Sequence, residues 1–238
     1  MKDFKIKIID LIEKFEKTQE GVMNEVTTKI VDCLENGGEF YAVGTGHSHM
    51  VGEEFYARAG GLACVQLIAP MELTLGDHPL KSTMIERIGA YAEVIIMQYK
   101  IKKGDIVLIT SNSGRNALPI ELAIALHKIG ATTIAFTNLE HSKQVTSRHE
   151  SGKRLFEVCD YTIDNCGVVG DAMMDLDGVK GRMGSSSSII GMYMSQTLGM
   201  MIATEMHKRN LEVPVFLSAN VDAGDEWNDK IMKKYYHI

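Results

Sequence analysis

Apolar positions recur with two different periods along the chain, and the alternation between them predicts an α/β fold. From Phe4 to Leu34 they fall at Phe4, Ile8, Ile12, Phe15, Met23, Val26, Ile30 and Leu34, a helical stripe with a break expected near Gly21. Beyond it, short apolar runs read as strands: Glu39–Val43, "ACVQLI" ending at Ile68, "DIVLIT" ending at Thr110, "TTIAFT" ending at Thr137, and "YTID". Helices are expected from the cap Ser48 to about Ala59, from the cap Ser82 through "STMIERIGAYAEVIIMQY", and across "ALPIELAIALHKIG" to a closing Gly130. A last helix, "SSSSIIGMYMSQTLGMMIATEMH", is apolar nearly all round, so burial is expected, with its methionines as core filler. This order predicts a three-layer α/β/α sandwich around a mainly parallel sheet of about five strands. The expected organisation is an N-terminal helical segment over 1–36, a central domain over 37–212 and a C-terminal wrap of that domain over 213–238.

The turn after "DIVLIT" carries the most chemistry. Ser111, Asn112, Ser113, Gly114, Arg115 and Asn116 stand between a buried strand and a helix. Backbone N–H groups and the positive end of a helix dipole meet there, which suits an anion. Ser111, Ser113 and Asn116 add side-chain donors, and Gly114 lets the backbone come close. Capping alone needs one such residue, whereas four polar donors crowd into six positions.

At these residues the chain resembles the SIS (sugar isomerase) domain family. "SNSGRN" is similar to that family's S-x-S-G-x-[TSN] phosphate loop, and "FYAVGTGHSHM" to its first loop, G-x-G-x-S, at Gly44, Gly46 and Ser48. "GSSSSIIG", with Ser186 and Ser187, resembles its serine-rich third helix start. The three matches run in the family's order from about Glu39 to Met206. The resemblance implies a sugar-phosphate ligand held by Gly44, Gly46, Ser48, Ser111, Ser113, Gly114, Asn116, Ser186 and Ser187. It also implies sites shared between subunits, hence a homodimer or a dimer of dimers. An aldose–ketose isomerase is the leading activity, with a sugar-phosphate lyase or etherase beside it and a non-catalytic phosphosugar sensor as the alternative. "GTGHSH" is not a dinucleotide fingerprint, because the third glycine of G-x-G-x-x-G would fall on His49.

Isomerisation needs a base for the proton beside the carbonyl and a donor for the oxyanion. Glu53, one helical turn beyond His49, leads as base, followed by Glu54 and Glu72; His49 and His78 are the candidate proton donors. SIS isomerases of the phosphoheptose type resemble this in carrying a carboxylate on the corresponding helix, with a different spacing. Glu54 and Arg58 read as a surface ion pair, and Asp77 as turn chemistry before a proline. "NLEHSKQVTSRHESGKRLFEVCD" is longer and more basic than the family's connection, so His141, Arg148, His149, Lys153 and Arg154 either meet a phosphate or form a solvated loop. The stretch 165–184 holds Asp171, Asp175 and Asp177 but no Glu, so the family's acid before the serine-rich helix has no counterpart. In the tail, Asn220, Asp222, Asp225 and Asn228 either close over a site or belong to an ordered wrap.

Composition narrows the partners. A net charge of −6, a pI near 5.8 and no basic stripe argue against nucleic acid. No run approaches the ~18 apolar residues of a membrane span. "MKDFKIKIIDLIEK" interrupts its apolar residues with charges, unlike a signal peptide. Cys33, Cys64, Cys159 and Cys166 lack C-x-x-C spacing, which fits reduced thiols in a cytoplasmic protein. No cofactor and no metal are expected.

Overall fold

Five parallel strands form one sheet in the order β2-β1-β3-β4-β5. They are β1 (Phe40–Gly44), β2 (Val65–Ile68), β3 (Ile106–Thr110), β4 (Thr132–Thr137) and β5 (Tyr161–Asp164). The computed structural model describes residues 2–76, 78–218 and 224–236; Asp77, Asn220 and Asp222 lie outside the described residues. The chain reverses its direction of travel across the sheet between β1 and β3, which are neighbours with Gly44 paired to Thr110. Turns leaving the carboxyl ends of those two strands therefore meet at the switch point, where open α/β sheets hold ligands.

Side chains alternate across a strand, so each strand divides its residues between two cores. Phe40 and Ala42 of β1, Ile106 and Leu108 of β3, and Ile134 and Phe136 of β4 face one layer. That layer is α1 (Lys2–Glu35), α2 (His49–Glu53) and α7 (Ser187–Lys208). Tyr41, Val43, Val107, Ile109 and Ala135 face the other, built of α4 (Tyr91–Gln98) and α5 (Ala117–Ile129). The three-layer sandwich and its five-stranded sheet agree with the apolar pattern.

Several boundaries differ from that pattern, each for a local reason. α1 runs unbroken through Gly21. A helical glycine costs only about 1 kcal/mol, and Phe15, Met23, Val26 and Ile30 keep one stripe buried on both sides of it. α2 stops at Glu53 rather than near Ala59 because the chain turns to bury Phe55 and Ala57 adopts positive φ. The single helix expected from Ser82 is two, α3 (Pro79–Ile85) and α4, parted around Gly89. His78, not Ser82, caps α3: its Nδ1 accepts from Leu80 N at 3.2 Å, while Ser82 is buried. α7 is apolar nearly all round yet not buried all round; Met194 and Met206 are core, but Met200 is 62% exposed. The basic segment contains α6 (Leu139–Gln144) before its turns, and the Gly/Asp stretch holds a hairpin, β6 (Ala172–Met174) with β7 (Met183–Ser185).

The tail helix α8 (Gly224–Tyr235) packs Ile231 on Ala63 and Phe216, beside β2. Gln66 of β2 donates to the Tyr235 carbonyl at 2.9 Å, so the described tail is a wrap on the sheet edge. Asn228 serves it by bonding both backbone groups of Leu217. Among the described residues, no helix is long and apolar enough to cross a membrane. The four cysteines are free, and burial pushes the Cys64 and Cys159 thiols up to about 12.

Candidate functional site

Three polar turns open onto one cleft at the switch point. The cleft is lined by His47, Ser48 and Val51 from the β1 turn and α2, by Thr110, Asn112 and Phe136 from β3 and β4, and by Asn165, Ser187 and Ser188. The space free within it is about 10 Å³, room for one water, and it opens to solvent. Val51 and Phe136 form an apolar wall, and the remainder is hydroxyl, amide and imidazole. Such a lining donates hydrogen bonds from several directions without bringing a fixed negative charge.

The β1 turn is shaped by Gly44, whose missing side chain lets the backbone fold back onto itself. Gly46 opens a 3-10 turn, Gly46–Ser48, that presents Ser48 to the cleft. Ser48 is helical in backbone and makes no side-chain cap. His49 is buried, with Nδ1 on the Gly46 carbonyl and Nε2 3.3 Å from Glu53 Oε1. A carbonyl only accepts, so Nδ1 carries the hydrogen. The Glu53 side chain is 50% exposed. Glu54 is more enclosed, its Oε1 taking bonds from Arg58 and from Gln196 of α7 (2.7 Å). Glu72 accepts from Tyr91, and burial together with that bond raises the Tyr91 hydroxyl above its ordinary pKa. Neither Glu53, His49 nor His78 lines the cleft; His47 does.

The second turn divides by strand parity. Thr110 and Asn112 continue the face of Ile106 and Leu108 and so reach the cleft, while Ser111 continues the face of Val107 and Ile109. Ser111 is buried and its Oγ accepts from Gly114 N at 3.3 Å. Gly114 has φ of +58°, and a Cβ there would stand 3.0 Å from Ser142 Oγ, so this position needs glycine. Ser113 is half-buried, outside the lining. Asn116 precedes α5 without capping it and instead accepts from Arg148 Nη1 at 2.8 Å.

At the third turn, Asp171 holds the start of α7. Its Oδ1 accepts from the backbone N–H of Ser186 (3.0 Å) and Ser187 (2.7 Å) and from the Ser186 hydroxyl (3.0 Å). Its Oδ2 takes the Ser187 hydroxyl at 2.8 Å. A carboxylate on a helix N-terminus is stabilised by the dipole. Asp171→Ala is expected to destabilise the fold by about 1–2 kcal/mol, the usual loss of a cap, read in urea melts as a lower midpoint at unchanged slope. An unchanged midpoint would remove Asp171 from this role. Sequence reasoning missed Asp171, Asn112, Thr110, Asn165 and His47; for Asn112 and Thr110 the two-residue period of β3 was the available signal.

Residues 3–138 match the SIS domain family. The chain is a SIS-domain protein. This SIS domain is 41% identical over 225 residues to a UPF0309 protein of Halalkalibacterium halodurans, covering 94% of the chain and 93% of the relative. A UPF0309 protein of Oceanobacillus iheyensis is 35% identical over 236 residues, covering 99% and 96%. Among solved structures, a phosphoheptose isomerase from Neisseria gonorrhoeae superposes with a TM-score of 0.55 at 17% identity, over 84% of this SIS domain chain and 94% of its own. One from Francisella tularensis gives 0.53 at 16%, over 84% and 95%. At such identities the likeness is one of fold.

Proposed function

We propose that the chain binds a sugar phosphate in this cleft and interconverts its aldose and ketose forms. The observation that carries the reading is the convergence of three turns, each giving hydroxyl or amide donors, on one cleft at the carboxyl ends of β1 and β3. Membership of the SIS family supports it. Ser48, Thr110, Asn112 and Ser188 take the phosphate, whose binding energy then positions the reacting carbons. Between Ser48 and Glu53 the helix rises by about 7 Å, within the reach of a sugar chain extending from its phosphate. The carbonyl end thus comes to the His49–Glu53 pair, Glu53 removing the proton beside the carbonyl and His47 or His49 serving the oxyanion. Sharing of the site between subunits follows from the same reading; exposed Ile6, Ile9 and Met200 give α1 and α7 apolar surface for a second copy.

One observation favours a second reading, a phosphosugar sensor: the cleft lining contains no Asp or Glu. A single experiment separates the two. A panel of sugar phosphates is screened by thermal shift, where a ligand at a hundred times its dissociation constant adds about 2.7 kcal/mol. Each binder is then incubated with wild type in deuterated water and followed by proton NMR. Loss of the signal from the proton beside the carbonyl is the expected result. Binding without exchange for every ligand transfers the chain to the sensor class, and no binding at all removes both readings.

A further inference from the structure

Four of the seven arginines pair with carboxylates: Arg58, Arg154, Arg182 and Arg209. Arg87, Arg115 and Arg148 make no ion pair among the described residues, and these three are the ones the fold gathers. Arg148 N donates to the Arg115 carbonyl at 2.7 Å, and Arg148 Nη1 to Asn116 Oδ1 at 2.8 Å. The Glu86 carbonyl accepts from Leu118 N at 3.0 Å, fixing Arg87 against the first turn of α5. Burial and the charges of Arg115 and Arg87 lower the Arg148 pKa, with Glu86 acting in the opposite sense. Arg115 spends one nitrogen on Thr146 Oγ1 (3.1 Å) while its Nε is buried with no partner among the described residues.

Bringing like charges together is unfavourable, and leaving a buried N–H of a cation unbonded adds to the cost. Thr146 and Arg148 come from the basic segment, beyond the residues that match the SIS family. We propose that Arg87, Arg115 and Arg148 form a second anion site, separate from the cleft, that takes the phosphate group of a small molecule. Guanidinium forks match phosphate oxygens in geometry as well as charge. The hollow beside Arg148, lined also by Gly89, Ala90 and Ala117, shares no residue with the cleft. Its acids do not fill the arginines' place. Glu121 is held by His149 at 2.8 Å and lies 4.0 Å from Lys128, and Glu93 and Glu150 are exposed on the rim, where solvent screens them.

The test uses wild-type protein first. Phenylglyoxal modifies free guanidiniums, and mass spectrometry reads each arginine separately. Inorganic phosphate at ten times its dissociation constant is expected to slow modification of Arg87, Arg115 and Arg148 about tenfold, leaving Arg58, Arg182 and Arg209 unchanged. A sugar monophosphate and a sugar bisphosphate are run as further arms; protection by the esters at concentrations where inorganic phosphate gives none assigns the ligand as the ester. In isothermal titration, Arg148→Met and Arg115→Met are each expected to weaken the protected site about tenfold or more. Ser188→Ala leaves it unchanged, so loss of cleft binding in that variant with arginine protection intact bears on the cleft alone. Modification rates indifferent to phosphate and to both esters overturn the proposal, as does an Arg148→Met titration identical to wild type.

Discussion

Gly44→Ala is expected to lower the melting temperature by roughly 6–12 °C and to abolish ligand binding in the cleft. A Cβ at this position would stand 2.3 Å from the Ser48 carbonyl oxygen, 2.4 Å from its carbon and 2.8 Å from His49 N. All three are backbone atoms, which cannot rotate aside as a side chain can. Inserting one methyl group into a packed core costs about 1–3 kcal/mol, and a backbone obstacle belongs at or above the top of that range. Either the Gly46–Ser48 turn moves or β1 shifts against β3; both displace Ser48. Gly46→Ala is the informative companion, since a Cβ there meets nothing within 4 Å and only the φ of +54° is strained. Calorimetry and a sugar-phosphate titration of the two variants make the comparison. Wild-type melting and affinity in Gly44→Ala would show that the turn does not have this geometry.

Glu53→Gln is expected to keep sugar-phosphate affinity and to lose turnover by a factor of ~10²–10⁴, the range for loss of a general base. The substitution preserves shape and stays outside the cleft lining, so binding at the phosphate turns is left alone. What it removes is the carboxylate that takes the proton. Glu54→Gln is the control: Glu54 is occupied by Arg58 and Gln196, and that variant should lose stability rather than chemistry. Rates come from the deuterium-exchange assay, affinities from calorimetric titration. A Glu53→Gln enzyme as fast as wild type would return Glu53 to the solvated helix face that its exposure also permits.

The strands were legible because each is a short run rich in β-branched and apolar residues, wholly buried in β1 and β3 and partly in β2 and β5, and "TTIAFT" and "YTID" fall on β4 and β5 residue for residue. Helix lengths were less so. Gly21 looked like an end, yet the stripe from Phe15 to Ile30 outweighed one glycine's propensity. Gly89 looked permissible inside a helix and instead parts α3 from α4. At the cleft, composition pointed to the turns that open onto it and to Ser48 and Ser187 in its lining, but not to His47, Thr110, Asn112 or Asn165. Ser111, Ser113 and Asn116 were prominent as polar residues beside Gly114, whereas facing is set by register, and the register of β3 sends Thr110 and Asn112 into the cleft. Asp171 was illegible for another reason: its carboxylate reaches Ser186 and Ser187 only because β6 and β7 pair, a contact that no local pattern announces.

The two outer strands of the sheet are both shielded. Along β5, Gln19 of α1 accepts from Asp164 N at 2.9 Å, and Lys14 reaches the Cys166 carbonyl. Along β2, the Gln66 side-chain amide donates to the Tyr235 carbonyl of α8, and Leu62 just before the strand bridges to Val215. An open parallel sheet offers rows of unpaired amides at its margins, the usual starting points for strand-by-strand aggregation. Here helices from the two ends of the sequence act as bookends. A second copy meeting this chain through its helical faces would therefore not extend its sheet.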